Sequence, residues 1–321
     1  MRLIFGFFIF FALFSHAEDL RFLYVEKGIK PVEKELDKEL EKKEFWEDYI
    51  GERAIEYGYY EDALYLLLSN KSEPNLEVFK IEADNFKNIR SEHAYVGKGK
   101  GTKLKEGDLT TPIGAYDIVE KKTKLDDYYG PLALVLSYPN LYDRLQFRDG
   151  YGIWIHGVQS KSERPANTRG CVAVENDYML EIDEVINRDK SIVIISEEKL
   201  GLVEKSEIVD IFSEIYKWRN AWKYSLLDEY LRFYDDEDFR RFDGKNFEQF
   251  KKMKSIIFGR NETKTITFNN FNIAPYPNPE GKNMFRVTFF EYYKSDNYLF
   301  EGNKELYIEM RGDKMKILAE R

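Results

Sequence analysis

Cysteine and histidine are the scarce reactive side chains of this 321-residue sequence: one thiol, Cys171, and three imidazoles, His16, His93 and His156. His16 falls in a leader in which Arg2 precedes an apolar run, Leu3 to Phe14, that ends in Ser15-His16-Ala17. That run is shorter than the roughly 20 residues a bilayer-spanning helix needs, and it fits a secretory leader (residues 1–17) with small residues where a signal peptidase reads. Cleavage is expected after Ala17, which leaves His93 and His156. A lone cysteine excludes an internal disulfide and any multi-cysteine metal site. It can serve as a nucleophile if a base activates it, because a free thiol is only about 3% thiolate at neutral pH.

His156 ends the run Gly152-Ile153-Trp154-Ile155-His156 and is followed by Gly157. On a strand Trp154 and His156 share one face, so Trp154 is a candidate wall of the site. Cys171 follows Thr168-Arg169-Gly170 and precedes Val172-Ala173-Val174. Glycine before a nucleophile lets the chain turn tightly and brings backbone N–H groups, here Gly170 and Cys171, toward a reacting carbonyl as an oxyanion hole requires. Cys171 and His156 are therefore the candidate nucleophile and base, and His93 reads as structural.

The elements that must position this pair fall into three regions. Residues 18–86 read as a helical N-terminal module: Val32, Leu36 and Leu40 recur every four residues, and a second helical stretch, Ala63 to Leu68, stops before Ser72-Glu73-Pro74-Asn75. Residues 87–200 read as mostly β, with strands at 94–96, 116–119, 132–138, 152–156 and 192–195 and one helix capped by Asn176. Residues 205–321 begin with a helix whose face carries Ile208, Ile211, Ile215, Trp218 and Trp222. Helices over 225–234 and through Phe247 and Phe250 follow, then strands near 265–268, 285–290, 306–310 and 314–318. The fold class is multidomain α+β. With 49 basic against 58 acidic residues and no stretch basic enough for a nucleic-acid footprint, no nucleic-acid partner is expected.

The stretch from Ala94 to Ile195 resembles the catalytic domain of the L,D-transpeptidases, the YkuD-type cysteine enzymes of peptidoglycan metabolism. The matching text is Gly107-Asp108-Leu109-Thr110-Thr111-Pro112-Ile113-Gly114, Tyr138-Pro139-Asn140, Ile155-His156-Gly157 and Thr168-Arg169-Gly170-Cys171-Val172. Leu132 to Ala173, including Arg164-Pro165, is similar to a Gram-negative subgroup. Many members place histidine before Gly-Cys and arginine two positions after the cysteine, where this chain has Arg169 and Ala173. The last region resembles the nuclear transport factor 2-like fold, a cone of helices and curved sheet, through Trp218-Arg219-Asn220-Ala221-Trp222 and Leu227 to Tyr234. The three-part order is similar to periplasmic L,D-carboxypeptidases that set cell shape.

The resemblance implies roles. Cys171 would attack the carbonyl of an L-to-D peptide bond, His156 would move the proton, and the Gly157 carbonyl would orient the imidazole as the third member of a triad. Gly170 and Cys171 N–H groups would hold the oxyanion. Arg164 and Arg169 would grip substrate carboxylates, and Trp154 and Asn140 would line the substrate. No metal and no cofactor is implied. The expected activity is removal of the terminal D-Ala from tetrapeptide stems to give tripeptides. The alternatives are transpeptidation, which crosslinks stems or attaches proteins, and, from another class, an envelope-binding scaffold with a relic catalytic domain. Expected partners are peptidoglycan stem peptides, a glycan or protein ligand at the C-terminal domain, and a second copy through the N-terminal helices, all in the periplasm.

Overall fold

The computed structural model describes residues 20–159, 166–260 and 262–321. The expected leader and Arg164 lie outside the described residues. Residues 20–27 are helical, and helix α1 (Ile29–Glu39) and helix α2 (Lys43–Ile50) follow. They pack on the C-terminal region. Trp46 stacks on Phe212 with ring centroids 4.5 Å apart. The buried Asp37 carboxylate accepts hydrogen bonds from Arg219 (3.0 Å), Lys223 (2.6 Å) and Tyr224 (2.6 Å).

A short strand β1 (Tyr59–Tyr60) leads into β2 (Tyr65–Asn70), β3 (Asn75–Ile81) and β4 (Phe86–His93). The stretch read as a second helix, Ala63 to Leu68, is therefore mostly strand. Leu66, Leu67 and Leu68 are all buried, so β2 is covered on both faces. A continuous apolar run reads alike in a buried strand and a buried helix, and this is the source of the misreading. The expected boundary between 86 and 87 consequently falls inside a sheet. Further strands are β5 (Gly114–Thr123), β6 (Leu132–Leu136), β7 (Trp154–His156), β8 (Val172–Ala173) and β9 (Ser191–Ser196). Among the described residues the catalytic sheet has the order β4-β3-β2-β9-β5-β6-β7-β8. Helix α3 (Leu141–Leu145) follows β6, and α4 (Asn176–Val185) follows β8. The N-cap of α4 is Glu175, not Asn176. Asn176 instead accepts the Val158 N–H at 2.8 Å, clamping the chain just past His156 and Gly157.

The C-terminal region opens with α5 (Lys205–Lys223) and α6 (Leu227–Leu231). After β10 (Arg240–Arg241) and α7 (Phe247–Phe258) come four long strands, β11 (Thr265–Pro275), β12 (Met284–Lys294), β13 (Leu299–Arg311) and β14 (Lys314–Glu320). They form a sheet of order β1-β11-β12-β13-β14-β10, with α5 laid across it. The molecule is a mixed α+β chain of several parts. The two sheets share a core in which Leu66, Ala115, Tyr142 and Ile194 meet Tyr276, Met284, Tyr307 and Ala319. Arg286 spans the junction, donating to both Asp117 oxygens (2.7 and 2.6 Å) and to Glu305 (2.8 Å).

Candidate active site

Three short strands set the geometry. β7 runs antiparallel to β6, with Ala133 opposite His156 and Val135 opposite Trp154. β8 runs parallel to β7, pairing Ile155 with Val172 and His156 with Ala173. Partners in such a ladder point to the same face, and faces alternate along a strand. Ile155 and Val172 are fully buried in the core. Trp154, His156 and Ala173 therefore share the opposite face, and Cys171 immediately precedes β8, the strand that pairs with His156. The sequence-predicted nucleophile and base lie on adjoining segments of this ladder, and Tyr129 is near both.

The turn into Cys171 is fixed by one hydroxyl. Thr168 Oγ1 accepts the Gly170 N–H at 3.1 Å and donates to the Cys171 carbonyl at 2.6 Å, while the Thr168 N–H donates to the Val96 carbonyl at 2.9 Å. Gly170 has φ +130°, and a Cβ there would lie 3.0 Å from the Thr110 carbonyl oxygen, so the turn requires glycine. On the far side Tyr95 and Ala173 exchange two backbone hydrogen bonds, at 2.7 and 2.8 Å.

His156 is buried, and its Nδ1 lies 2.5 Å from the Gly157 carbonyl oxygen. A carbonyl only accepts, so Nδ1 carries the proton and Nε2 is the free basic nitrogen. Gly157 cannot be replaced cheaply: a Cβ would sit 2.3 Å from Asn176 Oδ1 and 2.7 Å from Pro131 Cδ. Burial lowers the His156 pKa below the usual 6.5, opposed by the Gly157 hydrogen bond. Cys171 keeps an opening to solvent, and its thiol donates to the Gly152 carbonyl at 3.4 Å. Burial pushes this thiol up to about 11, against the pull of the Trp154 N–H and the charge of Lys103. Both shifts favour the uncharged forms, thiol and imidazole, over a thiolate–imidazolium ion pair.

Other expected residues fare differently. Trp154 lies half-buried on the site face. Arg169 is exposed, close enough for its charge to act on the Tyr129 phenol. The Gly170 N–H is already engaged by Thr168 Oγ1, which leaves the Cys171 N–H as the expected oxyanion donor still in view. Asn140 is a structural residue rather than a substrate contact. It is buried, caps α3 by accepting the Asp143 N–H at 2.9 Å, and donates to the Ala115 carbonyl and the Tyr276 hydroxyl. The resemblance implied a substrate contact at this position, whereas here the turn is buried against the second sheet. His93 packs edge-on against Tyr95, with centroids 5.0 Å apart.

Sequence reasoning missed a pair of tyrosines. Residues Asp127–Tyr129 form a 3-10 turn capped by the Asp126 side chain. Tyr129 meets the His156 ring at 5.2 Å and the Trp154 ring at 4.9 Å, and Tyr128 lies 6.3 Å from His156. The signal was Asp126-Asp127 before two aromatics and Gly130-Pro131 after them, a capped turn with a definite stop.

Comparison with known proteins bears on this arrangement. The L,D-transpeptidase catalytic domain (YkuD) family matches residues 65–195, and the Cds6 C-terminal NTF2-like domain matches residues 210–321. The crystal structure of the helical cell shape determining protein Pgp2 from Campylobacter jejuni is 39% identical, with TM-score 0.82, over 88% of this chain and 99% of that one. This chain belongs to the L,D-transpeptidase family. Bd1075 of Bdellovibrio bacteriovorus is similar at 26% identity and TM-score 0.66, over 84% of this chain and 96% of that one. The Escherichia coli K12 protein YafK, named for the L,D-transpeptidases, is 31% identical over 88 residues, which is 27% of this chain. The chain spans about a third (32%) of the length of that curated relative. The start of the L,D-transpeptidase match at residue 65 agrees with β2 belonging to the catalytic sheet. Both resemblances read from the sequence hold. Among the described residues no helix is long and apolar enough to cross a membrane.

Proposed function

We propose that this protein is a periplasmic, cysteine-dependent L,D-carboxypeptidase that removes the terminal D-Ala from peptidoglycan tetrapeptide stems and so influences cell shape. The observation that supports the reading is the pairing of the His156 strand with the strand that Cys171 leads into, with Nδ1 of the base committed to the Gly157 carbonyl. His156 Nε2 takes the thiol proton as Sγ attacks the carbonyl of the L-to-D bond. The Cys171 N–H steadies the oxyanion; such a donor is worth about 3–4 kcal/mol in the transition state. Collapse breaks the C–N bond, and the imidazolium returns its proton to the departing D-Ala amine. A thioester on Cys171 remains. Water, deprotonated by the same imidazole, then attacks it, and the tripeptide carboxylate leaves as the thiol is re-formed. Arg169, and Arg164 outside the described residues, are proposed to hold stem carboxylates.

Hydrolysis is preferred over transpeptidation because the likeness to the cell shape determining protein Pgp2 spans 88% of the chain, including the C-terminal domain, against 27% for YafK. Purified protein given disaccharide-tetrapeptides decides between them by product mass. Tripeptide and free D-Ala are expected, and crosslinked dimers would overturn the choice. An envelope scaffold with a relic domain would give neither product. Export by a leader cleaved after Ala17 is part of the same reading, tested by the intact mass of the protein recovered from the periplasm.

A further inference from the structure

Resting on the reading above, we propose that Tyr129 is a positioning residue for the catalytic base, its ring holding the His156 imidazole in place and walling it off from water. The turn that carries Tyr129 is built to be rigid. The Asp126 side chain accepts the Tyr128 N–H at 3.0 Å, and Gly130, at φ +66°, closes the turn. Gly130 packs backbone to backbone against Gly157: a Cβ on Gly130 would lie 2.8 Å from Gly157 Cα and 2.4 Å from Asn176 Oδ1. The turn is therefore registered on the residue whose carbonyl takes the His156 Nδ1 proton. From that anchor the Tyr129 ring meets the imidazole edge to face, at 78° and 5.2 Å, and leans on Trp154 at 4.9 Å. The imidazole is thus gripped on its own strand, by the Gly157 carbonyl, and from a separate loop. A base held from two elements keeps Nε2 aimed as the thiol moves, and a loss of about 1 Å in such aim can cost about a hundredfold in rate.

The same ring keeps the imidazole in a low-dielectric pocket, in line with burial as the main cause of its lowered pKa. The groups facing His156 are few. Ala133 and Ala173 oppose it on β6 and β8, Cys171 immediately precedes β8, and Tyr128 and Tyr129 cover it from the turn. Of the charged groups around the turn, Asp126, Asp127 and Arg169 are exposed, and the half-buried Lys122 ammonium lies 5.8 Å from the centre of the Trp154 ring. Solvent screening weakens the exposed charges and Lys122 is separated from the imidazole by Trp154, whereas the Tyr129 ring meets it directly.

The test is an NMR titration of the His156 ring in the full mature protein, assigned with His156→Gln and run on wild type, Tyr129→Ala, Tyr129→Leu and Tyr129→Phe. Wild type is expected to titrate below 6.5. Tyr129→Ala should move the midpoint up toward the ordinary value, and Tyr129→Phe, which keeps the ring, should restore it. Tyr129→Leu keeps apolar bulk if the alanine variant fails to fold, and an intermediate midpoint is expected. With tetrapeptide substrate, Tyr129→Ala should lose about 10–100-fold in kcat/KM, mostly in kcat. Midpoints identical in all four proteins, or a phenylalanine variant that behaves like alanine, would overturn the proposal. The titration needs no turnover. An inactive wild type would therefore sink the carboxypeptidase reading while leaving this result legible.

Discussion

A neutral thiol and a neutral imidazole make a nucleophile that is switched on only during reaction. With the Cys171 thiol raised to about 11, about one molecule in ten thousand carries thiolate at pH 7. Alkylation by iodoacetamide without substrate should therefore be slow at neutral pH and climb about tenfold per pH unit, with no plateau before about pH 11. A plateau near neutrality would reveal a preformed ion pair instead. The catalytic profile follows the other partner. Its active form is neutral imidazole, and burial lowers its pKa, so the base stays competent to a lower pH than an ordinary histidine. Activity should be flat through pH 7 and lost only as pH falls through a midpoint below 6.5, measured as kcat/KM on tetrapeptide. These two residues were legible in the sequence because they are chemically scarce. Tyr129 was not, because one tyrosine among 23 carries no mark of its role until the fold sets it against a histidine.

At the scale of elements, the site depends on a turn and two very short strands. Thr168 Oγ1 joins the Gly170 N–H to the Cys171 carbonyl, so one side chain sets the path of the chain into the nucleophile. Thr168→Val keeps the shape and removes both hydrogen bonds. It should cost about tenfold in kcat, the equivalent of one ordinary hydrogen bond, and Thr168→Ser should recover most of it. Steady-state kinetics of the three proteins check this. Gly157→Ala should be harsher, because the added methyl runs into Asn176 and Pro131. Long amphipathic patterns such as Ile208 to Trp222 were readable because period and length agree. Leu66 to Leu68 was not, since β2 is covered on both faces and has no alternation to betray it. The role of Asn140 was hidden for a related reason: its partners Ala115 and Tyr276 are 25 and 136 residues away, and no local pattern encodes them.

The whole molecule behaves as more than domains on a string. The two sheets share apolar core, and Arg286 ties Asp117 on the catalytic sheet to Glu305 on the other. Arg286→Met should lower stability by about 2–3 kcal/mol, since Glu305 stays buried but keeps Arg321 and Tyr307 as partners. Urea unfolding measures the loss, and a change within about 0.5 kcal/mol would mean that the junction is incidental. The N-terminal helices belong to the same body, held by the buried Asp37 against Arg219 and Lys223. All of this architecture matters for function only if it presents a nucleophilic sulfur to a stem peptide. Intact-mass analysis of the protein quenched during turnover of tetrapeptide tests that most directly. An adduct of the tripeptide acyl group on Cys171 is predicted for the wild type, with neither adduct nor tripeptide from Cys171→Ala. Tripeptide released at the wild-type rate by Cys171→Ala would contradict the account.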